Sequence, residues 1–319
     1  MEKYSNIPIF IPHYGCGNDC VFCNQRSITG KKQPPTKDEV REEIENFLSH
    51  LKNRKAQVAF FGGSFTGIDV SMQREYLSVA SDFLKNKKVF GIRLSTRPDY
   101  ISREILGMLS EYGVTNIELG VQSMCDDVLK KANRGHSALD TERACKLINE
   151  YGFTLGLQMM PGLPGDTEEK TIFTAREIVR LGAKEARVYP TCVLKNTKLY
   201  DMYRSGEYAP LTVEKAVEWS AKAVMILESG GVNVIRCGLQ ETDTLGDEIV
   251  AGGYHSAMGE LVKSRILREE IESAAKKCKD RVLDFRVPSE KLSQYLGQKR
   301  CNVKYIEEKY KIKLNIICN

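Results

Sequence analysis

Three cysteines near the start of the chain have the spacing of ligands to a metal centre. Cys16, Cys20 and Cys23 lie within eight residues, with three residues in the first gap and two in the second. Three thiolates on one short loop can converge on the corners of an iron–sulfur cluster, and Gly15 and Gly17 let the backbone wrap closely around it. One iron of a four-iron cluster would then lack a protein ligand, so a small chelating molecule could bind there.

Two simpler interpretations of these cysteines remain open at this point. They could be free thiols of a loop, or three of the four ligands of a structural zinc ion. A structural zinc site usually brings a fourth Cys or His at a paired spacing, and the sequence has no second pair of that kind. The other seven cysteines are single and scattered, which is typical of a reducing compartment and predicts a cytoplasmic location.

The composition is that of an ordinary globular protein, with 42% hydrophobic and 28% charged residues among 319. No apolar run approaches the ~20 residues that cross a membrane, and the first residues do not resemble a signal peptide, so we expect no membrane association. The net charge of +5 is uneven, because twelve basic and five acidic residues lie from Lys276 onward. This excess favours a polyanionic partner, although a solvated lysine face would give the same count.

Strand-like and helix-like segments alternate along the first two thirds of the chain. Six apolar runs have the length of strands, and segments of helical length separate them. The six runs are 7–12, 58–61, 89–94, 116–121, 153–160 and 186–190. This alternation, with the cysteine loop directly after the first strand, favours an α/β fold, a partial (βα)6 TIM-like barrel. Chemistry in such barrels lies at the C-terminal ends of the strands.

We divide the chain into a barrel over 1–230, an extension and linker over 231–275, and a small basic unit over 276–319. The extension contains a further strand candidate over 232–237 and a helix candidate over 261–267, and a polar linker helix is expected over 269–279.

The cysteine spacing resembles that of the radical S-adenosylmethionine (SAM) superfamily, whose members carry Cys-x3-Cys-x-aromatic-Cys after the first barrel strand. Phe22 occupies the aromatic position. The resemblance implies that Cys16, Cys20 and Cys23 ligate a 4Fe-4S cluster, and that SAM chelates the open iron through its amino and carboxylate groups. It further implies that one electron, from a donor such as flavodoxin or ferredoxin, cleaves SAM and releases a 5′-deoxyadenosyl radical.

Gly62, Gly63 and Ser64 follow the second strand, where superfamily members place a glycine pair against the methionine moiety of SAM. Glycine suits that position because the main chain must approach the ligand closely. A glycine pair after a strand is also an ordinary turn, so its assignment to the cofactor depends on the cysteine motif beside it.

Three further residues follow the next strands. Arg97 could bind a carboxylate or phosphate, or it could form a surface salt bridge with Asp99. Gln122 could donate to the ribose of SAM or to the substrate, or it could be satisfied within the protein. Met160 could pack on the adenine ring or simply fill the core.

Several short runs resemble the radical domain of the Elongator catalytic subunit family, over roughly residues 7–230. They are Thr96–Tyr100, Gly120–Ser123, Asn133–His136, Tyr189–Thr191 and Thr197–Tyr208. That family modifies the wobble uridine of transfer RNA (tRNA) with the help of acetyl-CoA, so the resemblance implies a radical SAM enzyme that acts on RNA. This sequence differs in its three-residue first cysteine gap, in Ser95 where an acidic residue is usual, and in ending before an acetyltransferase domain could fit. We therefore expect the radical part of that chemistry and leave the use of acetyl-CoA open.

Two alternative functions remain. The run 162–165, Gly-Leu-Pro-Gly, resembles more distantly the oxygen-independent coproporphyrinogen oxidase-like proteins, which leaves open a radical SAM enzyme for a small metabolite or porphyrin. The other alternative is an RNA-binding protein whose iron–sulfur cluster is structural or redox-sensing.

The C-terminal segment predicts the order strand, helix, basic turn, helix, strand. This order resembles half of a KH RNA-binding unit, in which a glycine loop between two helices contacts the nucleic-acid backbone. The resemblance implies that Gly297, Lys299 and Arg300 contact RNA, with Arg300 at the place of the loop's second glycine. A βααβ cap that packs on the barrel and binds nothing is the alternative.

Overall fold

The protein's structure, a computed structural model, describes residues 4–11, 16–23, 33–51, 55–239 and 245–319. Nine strands precede residue 253 within those ranges. They are β1 (Tyr4–Ile11), β2 (Lys55–Gly62), β3 (Gly91–Thr96), β4 (Asn116–Gln122), β5 (Thr154–Met159), β6 (Glu185–Val188), β7 (Cys192–Leu194), β8 (Asn233–Cys237) and β9 (Ile249–Gly252). Seven of them form one parallel sheet in the order β1-β2-β3-β4-β5-β6-β8, while β7 and β9 pair as a separate antiparallel ribbon.

Helices connect the strands of the sheet, as the sequence pattern predicts. They are α1 (Lys37–His50), α2 (Val70–Lys85), α3 (Arg103–Glu111), α4 (Asp126–Lys131), α5 (Ala138–Glu150), α6 (Glu168–Arg180), α7 (Lys198–Ser205), α8 (Val213–Ser229), α9 (Leu245–Glu248) and α10 (Met258–Ala275). The partial barrel is confirmed, with one strand more than the six units predicted. The additional strand is β8, which was expected to follow the barrel but pairs in parallel with β6.

The two faces of the parallel sheet differ in chemistry, because successive side chains of a strand point to opposite sides. The face toward the helices is apolar, and its side chains are almost fully buried in the main hydrophobic core. They include Ile7, Ile9, Val58, Phe60, Ile92, Leu94, Ile117, Leu119, Leu155, Leu157, Ala186 and Val188. The opposite face carries charged and amide side chains, among them Gln57, Arg93, Glu118, Gln158, Glu185 and Arg187. The apolar runs recognised in the sequence therefore mark only the helix-facing side.

Contacts between distant strands show that the sheet curls around its polar face. Tyr4 on β1 donates to Glu185 on β6 at 3.4 Å, and Arg93 on β3 forms an ion pair with the same carboxylate. In a flat sheet β1 and β6 would be about 24 Å apart, at ~4.8 Å per strand, which is beyond the reach of two side chains. The polar face thus encloses the interior of a half-barrel, which we call the lumen.

The C-terminal segment forms the predicted βααβ order. It consists of β10 (Val282–Val287), α11 (Leu292–Leu296), α12 (Cys301–Tyr310) and β11 (Lys313–Cys318). The two strands pair in parallel, and this unit, the tail, packs on α10 through a hydrophobic cluster of its own that contains Leu267 and Ile271. These two residues lie on one face of α10 and both pack on the tail. α10 is one continuous helix, where a helix and a separate linker helix were expected.

The tail is also attached to α10 by a buried amide. The Asn302 side chain is 1% exposed, and its Nδ2 donates to the carbonyl oxygen and the hydroxyl of Ser264 on α10, both at 3.0 Å. The same nitrogen approaches the carbonyl oxygens of Gln294 and Tyr295. None of the helices in the described ranges combines the length and the apolar character that crossing a lipid bilayer requires.

Replacing Asn302 with Ala should loosen the tail without unfolding the barrel. We expect a loss of about 2 kcal/mol in the stability of the tail, because buried acceptors on two elements lose their donor. Hydrogen exchange followed by mass spectrometry should show faster exchange in β10, α12 and β11. Glu308→Ala, on the exposed side of the same helix, is the matched control, and unchanged exchange in Asn302→Ala would contradict the assignment.

Candidate iron–sulfur and cofactor site

The cysteine loop follows β1 at the C-terminal edge of the sheet, where the fold predicts the site. Cys20 is buried, and Cys16 and Cys23 are partly exposed. The backbone turns tightly here, since the Cys23 amide donates to the Cys20 carbonyl at 3.0 Å. Gly15, which was expected to help the loop wrap, lies outside the described residues.

Main-chain hydrogen bonds from three other segments fix the loop. The Val21 amide donates to the Ala132 carbonyl at 3.1 Å, and the Val21 carbonyl accepts from the Leu199 amide at 2.7 Å. The Gly17 amide donates to the Tyr100 hydroxyl at 2.9 Å. The loop conformation is therefore set by segments that follow β3, β4 and β7, and not by the loop sequence alone.

Two buried guanidinium groups approach the Cys20 thiol. Arg134 Nη1 lies 3.4 Å from the sulfur, and Arg97 Nη1 lies 4.0 Å from it. Arg97 is only 1% exposed and donates to both carboxylate oxygens of Asp99 at 2.9 Å. The Arg97–Asp99 pair considered from the sequence is thus present, with Arg97 buried beside the cysteine loop and Asp99 at the exposed end of the pair.

The glycine pair lies against the end of β1. Gly62 has a φ of +106°, and a Cβ there would lie 2.6 Å from the Ile11 carbonyl oxygen, so this position requires glycine. The Gly63 amide donates to the same oxygen at 2.8 Å. The Ser64 hydroxyl lies 3.3 Å from Cys16 Sγ, so the segment after β2 meets the cysteine loop.

Gln122 ends β4 in the left-handed region, with a φ of +69°, and its side chain is buried. Its Oε1 accepts from Gln158 Nε2 on β5 at 3.1 Å. Its Nε2 lies close to Gly120, where an added Cβ would be only 2.8 Å away. The unusual backbone conformation therefore places an amide side chain at the edge of the lumen, where it interacts with β5.

Phe22 and Met160 both pack against a third hydrophobic cluster, which contains Val21, Leu163 and Tyr208. Both side chains are partly exposed. The residue beside the last cysteine and the first residue after β5 therefore pack against the same cluster.

Gly297, Lys299 and Arg300 do not join this site. They form the turn between α11 and α12 in the tail, where Lys299 and Arg300 are exposed and have positive φ values of 52° and 61°. Their prediction as RNA contacts therefore concerns a surface separate from the cysteine loop.

The lumen contains functional candidates that the sequence reading missed. Arg187 on β6 is paired with Glu118 on β4, with Nε 2.7 Å from Oε1, and donates to the Tyr189 hydroxyl at 3.1 Å. Burial raises the pKa of Tyr189, so its hydroxyl remains a proton donor. Arg187 also stacks over the Phe61 ring at 5.3 Å. Charged residues at alternate positions within apolar runs were the sequence signal for this polar face.

The residues of the loop fit a sulfur-rich, anionic group. Its donors are three thiols, the ligand type of iron–sulfur clusters, and Arg134 Nε is a buried donor with no acceptor in the described part of the chain. No three His, Cys, Asp or Glu side chains among the described residues have the arrangement of ligands to a single metal ion.

Comparison with known proteins establishes the family. Residues 10–178 match the Radical SAM superfamily, and residues 183–268 match the radical SAM C-terminal domain. The chain therefore belongs to the radical SAM superfamily. It is a radical SAM enzyme, and its cofactors are a 4Fe-4S cluster and SAM.

Individual relatives point to a subgroup of that family. The chain is 27% identical over 316 residues to a tRNA uridine(34) acetyltransferase of Methanocaldococcus infernus, which covers 86% of this chain and 57% of that protein. It is 33% identical over 225 residues to an uncharacterised protein of Methanocaldococcus jannaschii, covering 66% and 68% respectively. Its fold resembles that of the archaeal Elp3 of Methanocaldococcus infernus with an N-terminal deletion, with a TM-score of 0.69, 24% identity and coverage of 85% and 64%. The chain thus spans a little over half the length of the acetyltransferase.

His136 lies two residues after Arg134 and is 6% exposed. Burial, and next to it the charge of Arg134, lower the pKa of His136 to about 4. The imidazole is therefore neutral at physiological pH and adds no charge beside the cysteine loop.

The depressed pKa makes stability depend on pH. Between pH 6.5 and 4, His136 is protonated in the unfolded chain but stays neutral in the folded chain. The free energy of unfolding therefore falls as the pH falls through this window, by up to about 3 kcal/mol. Urea unfolding should show a shallower pH dependence for His136→Gln than for the unsubstituted protein. Parallel profiles from pH 7 to 4.5 would contradict the assignment.

Proposed function

We propose that this enzyme modifies tRNA at a uridine, by reductive cleavage of SAM at the cysteine loop. The observation that carries the proposal is the cysteine loop at the mouth of a polar lumen, with Arg134 Nη1 3.4 Å from Cys20 Sγ, in a chain that aligns over 86% of its length with a tRNA uridine(34) acetyltransferase. The substrate class is taken from the name of that relative, and the radical chemistry is inferred from the cysteine loop.

In this proposal Cys16, Cys20 and Cys23 hold the cluster. When bound, the reduced cluster and SAM supply a 5′-deoxyadenosyl radical that abstracts a hydrogen atom. Main-chain groups of Gly62 and Gly63 and the Ser64 hydroxyl bind the polar end of SAM, since they adjoin the cysteine loop. Phe22 and Met160 complete the cofactor site at the hydrophobic cluster that they border, together with Gln122, whose carbonyl accepts from the Met160 amide at 2.9 Å.

The lumen serves as the substrate chamber. Its upper part presents the partly exposed side chains of Phe10, Phe61, Gln158 and Tyr189. Aromatic rings and amide groups are what proteins use to stack unpaired bases and to hydrogen-bond their edges. The buried Arg93, Glu118 and Glu185 close the lower part and keep water out of the reaction space.

The tail supplies the contact with the RNA backbone. Lys299, Arg300 and Lys304 are exposed around the N-terminus of α12, where free backbone amides favour a phosphate. Lysine and arginine at such a site would account for a salt-dependent share of RNA binding.

Cys20→Ala should abolish SAM cleavage. Anaerobically reconstituted protein with dithionite and SAM should form 5′-deoxyadenosine, and the variant should lose at least ~100-fold of that rate, because the cluster loses one of three ligands. Product is measured by chromatography, together with iron and sulfide content. Cys318→Ser, an exposed cysteine on β11, is the control. An intact cluster and tight RNA binding without any product would favour a structural or sensing cluster.

Charge reversal at the tail should weaken RNA binding. Lys299→Glu with Arg300→Glu should lower tRNA affinity by roughly tenfold or more at moderate salt, and should reduce the slope of log K against log salt by about 1 to 2. Filter binding over a salt series measures both quantities. Lys85→Glu with Lys87→Glu, two exposed lysines at the C-terminal end of α2, is the matched control. Unchanged tRNA affinity would instead support a small-molecule substrate.

A further inference from the structure

The segment 133–135, between α4 and α5, contacts three residues of the cysteine loop. Asn133 Nδ2 donates to the Asp19 carbonyl at 2.8 Å, and Arg134 Nη1 reaches Cys20 Sγ. The next residue, Gly135, has a φ of +79°, and a Cβ there would lie 2.0 Å from the Asn18 amide nitrogen. The three residues therefore fit the loop as a unit, and the glycine is what lets the backbone approach it.

Arg134 is fixed on several sides, so its contact with the sulfur is not an accident of a free side chain. It is 7% exposed, and its Nη2 donates to the Gly120 carbonyl at 2.6 Å. Its own carbonyl accepts from Arg97 Nη2 at 2.7 Å. A lysine could not reproduce this arrangement, because one ammonium group lacks the planar fork that reaches both Gly120 and Cys20.

The charges around Cys20 leave Arg134 as the uncompensated cation. Arg97 is neutralised by both oxygens of Asp99. Arg134 forms no ion pair with any carboxylate of the described residues, and it keeps one donor, Nε, without an acceptor there. Its positive charge can therefore interact with a negatively charged group bound at the Cys20 sulfur.

From this geometry we propose that Arg134 is a positioning residue that raises the reduction potential of the cluster, through an N–H···S hydrogen bond and its charge at Cys20. The inference rests on the proposed role of Cys20 as a cluster ligand. Reduction adds negative charge to a cluster, and hydrogen bonds to its sulfurs are among the features that set its potential. A buried cation with a donor at 3.4 Å from a ligating sulfur therefore stabilises the reduced state, from which SAM is cleaved.

The test is a redox titration of the full chain, reconstituted anaerobically and monitored by electron paramagnetic resonance. Arg134→Met should shift the midpoint potential to more negative values, because both the charge and the donor are lost. Arg134→Lys should lie between Arg134→Met and the unsubstituted protein, since it retains the charge. Arg103→Gln, which removes an exposed arginine paired with Glu150, should leave the potential unchanged.

A second kind of variant keeps Arg134 but displaces its guanidinium, so the inference can be tested even if the Arg134 variants fail to hold the cluster. In Gly120→Ala the new Cβ would lie 2.8 Å from Arg134 Nη2, so the guanidinium must move, and the potential should again become more negative. A purely structural role would lower iron content without moving the potential of the protein that remains loaded. If loaded Arg134→Lys, Arg134→Met or Gly120→Ala keeps the original potential, the inference is wrong.

The same samples separate this inference from the proposed function. If the unsubstituted protein forms 5′-deoxyadenosine but the Arg134 variants keep its potential, only the inference fails. If the Arg134 variants shift the potential but neither they nor the unsubstituted protein cleaves SAM, the role of Arg134 stands and the proposed function fails.

Discussion

The curl of the parallel sheet brings together buried charges on β3 and β6 that a flat sheet would hold about 14 Å apart, at ~4.8 Å per strand. Arg93, Glu118, Glu185 and Arg187 project from three different strands, and all but Arg187 are less than 9% exposed. A buried charge without a partner costs several kcal/mol, and a flat sheet, which separates β3 from β6, would leave Glu185 without its partner Arg93. Glu118 accepts from both arginines and Glu185 pairs with Arg93. The lumen is thus closed from below by a network that also selects its curvature.

This curvature is what brings the strand ends together. The cysteine loop follows β1, the glycine pair follows β2, Arg97 follows β3 and Gln122 ends β4. In sequence these features are spread over about a hundred residues, yet Cys16 lies beside Ser64, and Cys20 lies beside Arg97 and Arg134. Because the site consists of contacts between strand ends, it requires no long inserted segment and forms together with the sheet.

The sequence was informative wherever the signal was local. The cysteine spacing lies within eight residues, the apolar runs mark strands that pack on helices, and the basic turn lies between two short helices. The lumen network was missed because Arg93, Glu118 and Arg187 are single charges inside apolar runs, and only tertiary pairing shows that they share one face. β8 was placed outside the barrel for a related reason. Its side chains are all partly exposed at the edge of the sheet, so it lacks the continuous apolar pattern of the inner strands.

Gly120 lies between the cysteine loop and the lumen. Its carbonyl accepts from Arg134, which contacts Cys20, while Gln122 folds back over it and binds Gln158 on the wall of the lumen. Both side chains occupy space that any Cβ at this position would require. Arg134, which contacts the cysteine loop, and Gln122, which contacts the wall of the lumen, therefore both lie against Gly120. Since close-packed interiors leave little room for displacement, the absence of a Cβ at Gly120 is what allows both side chains to occupy their places.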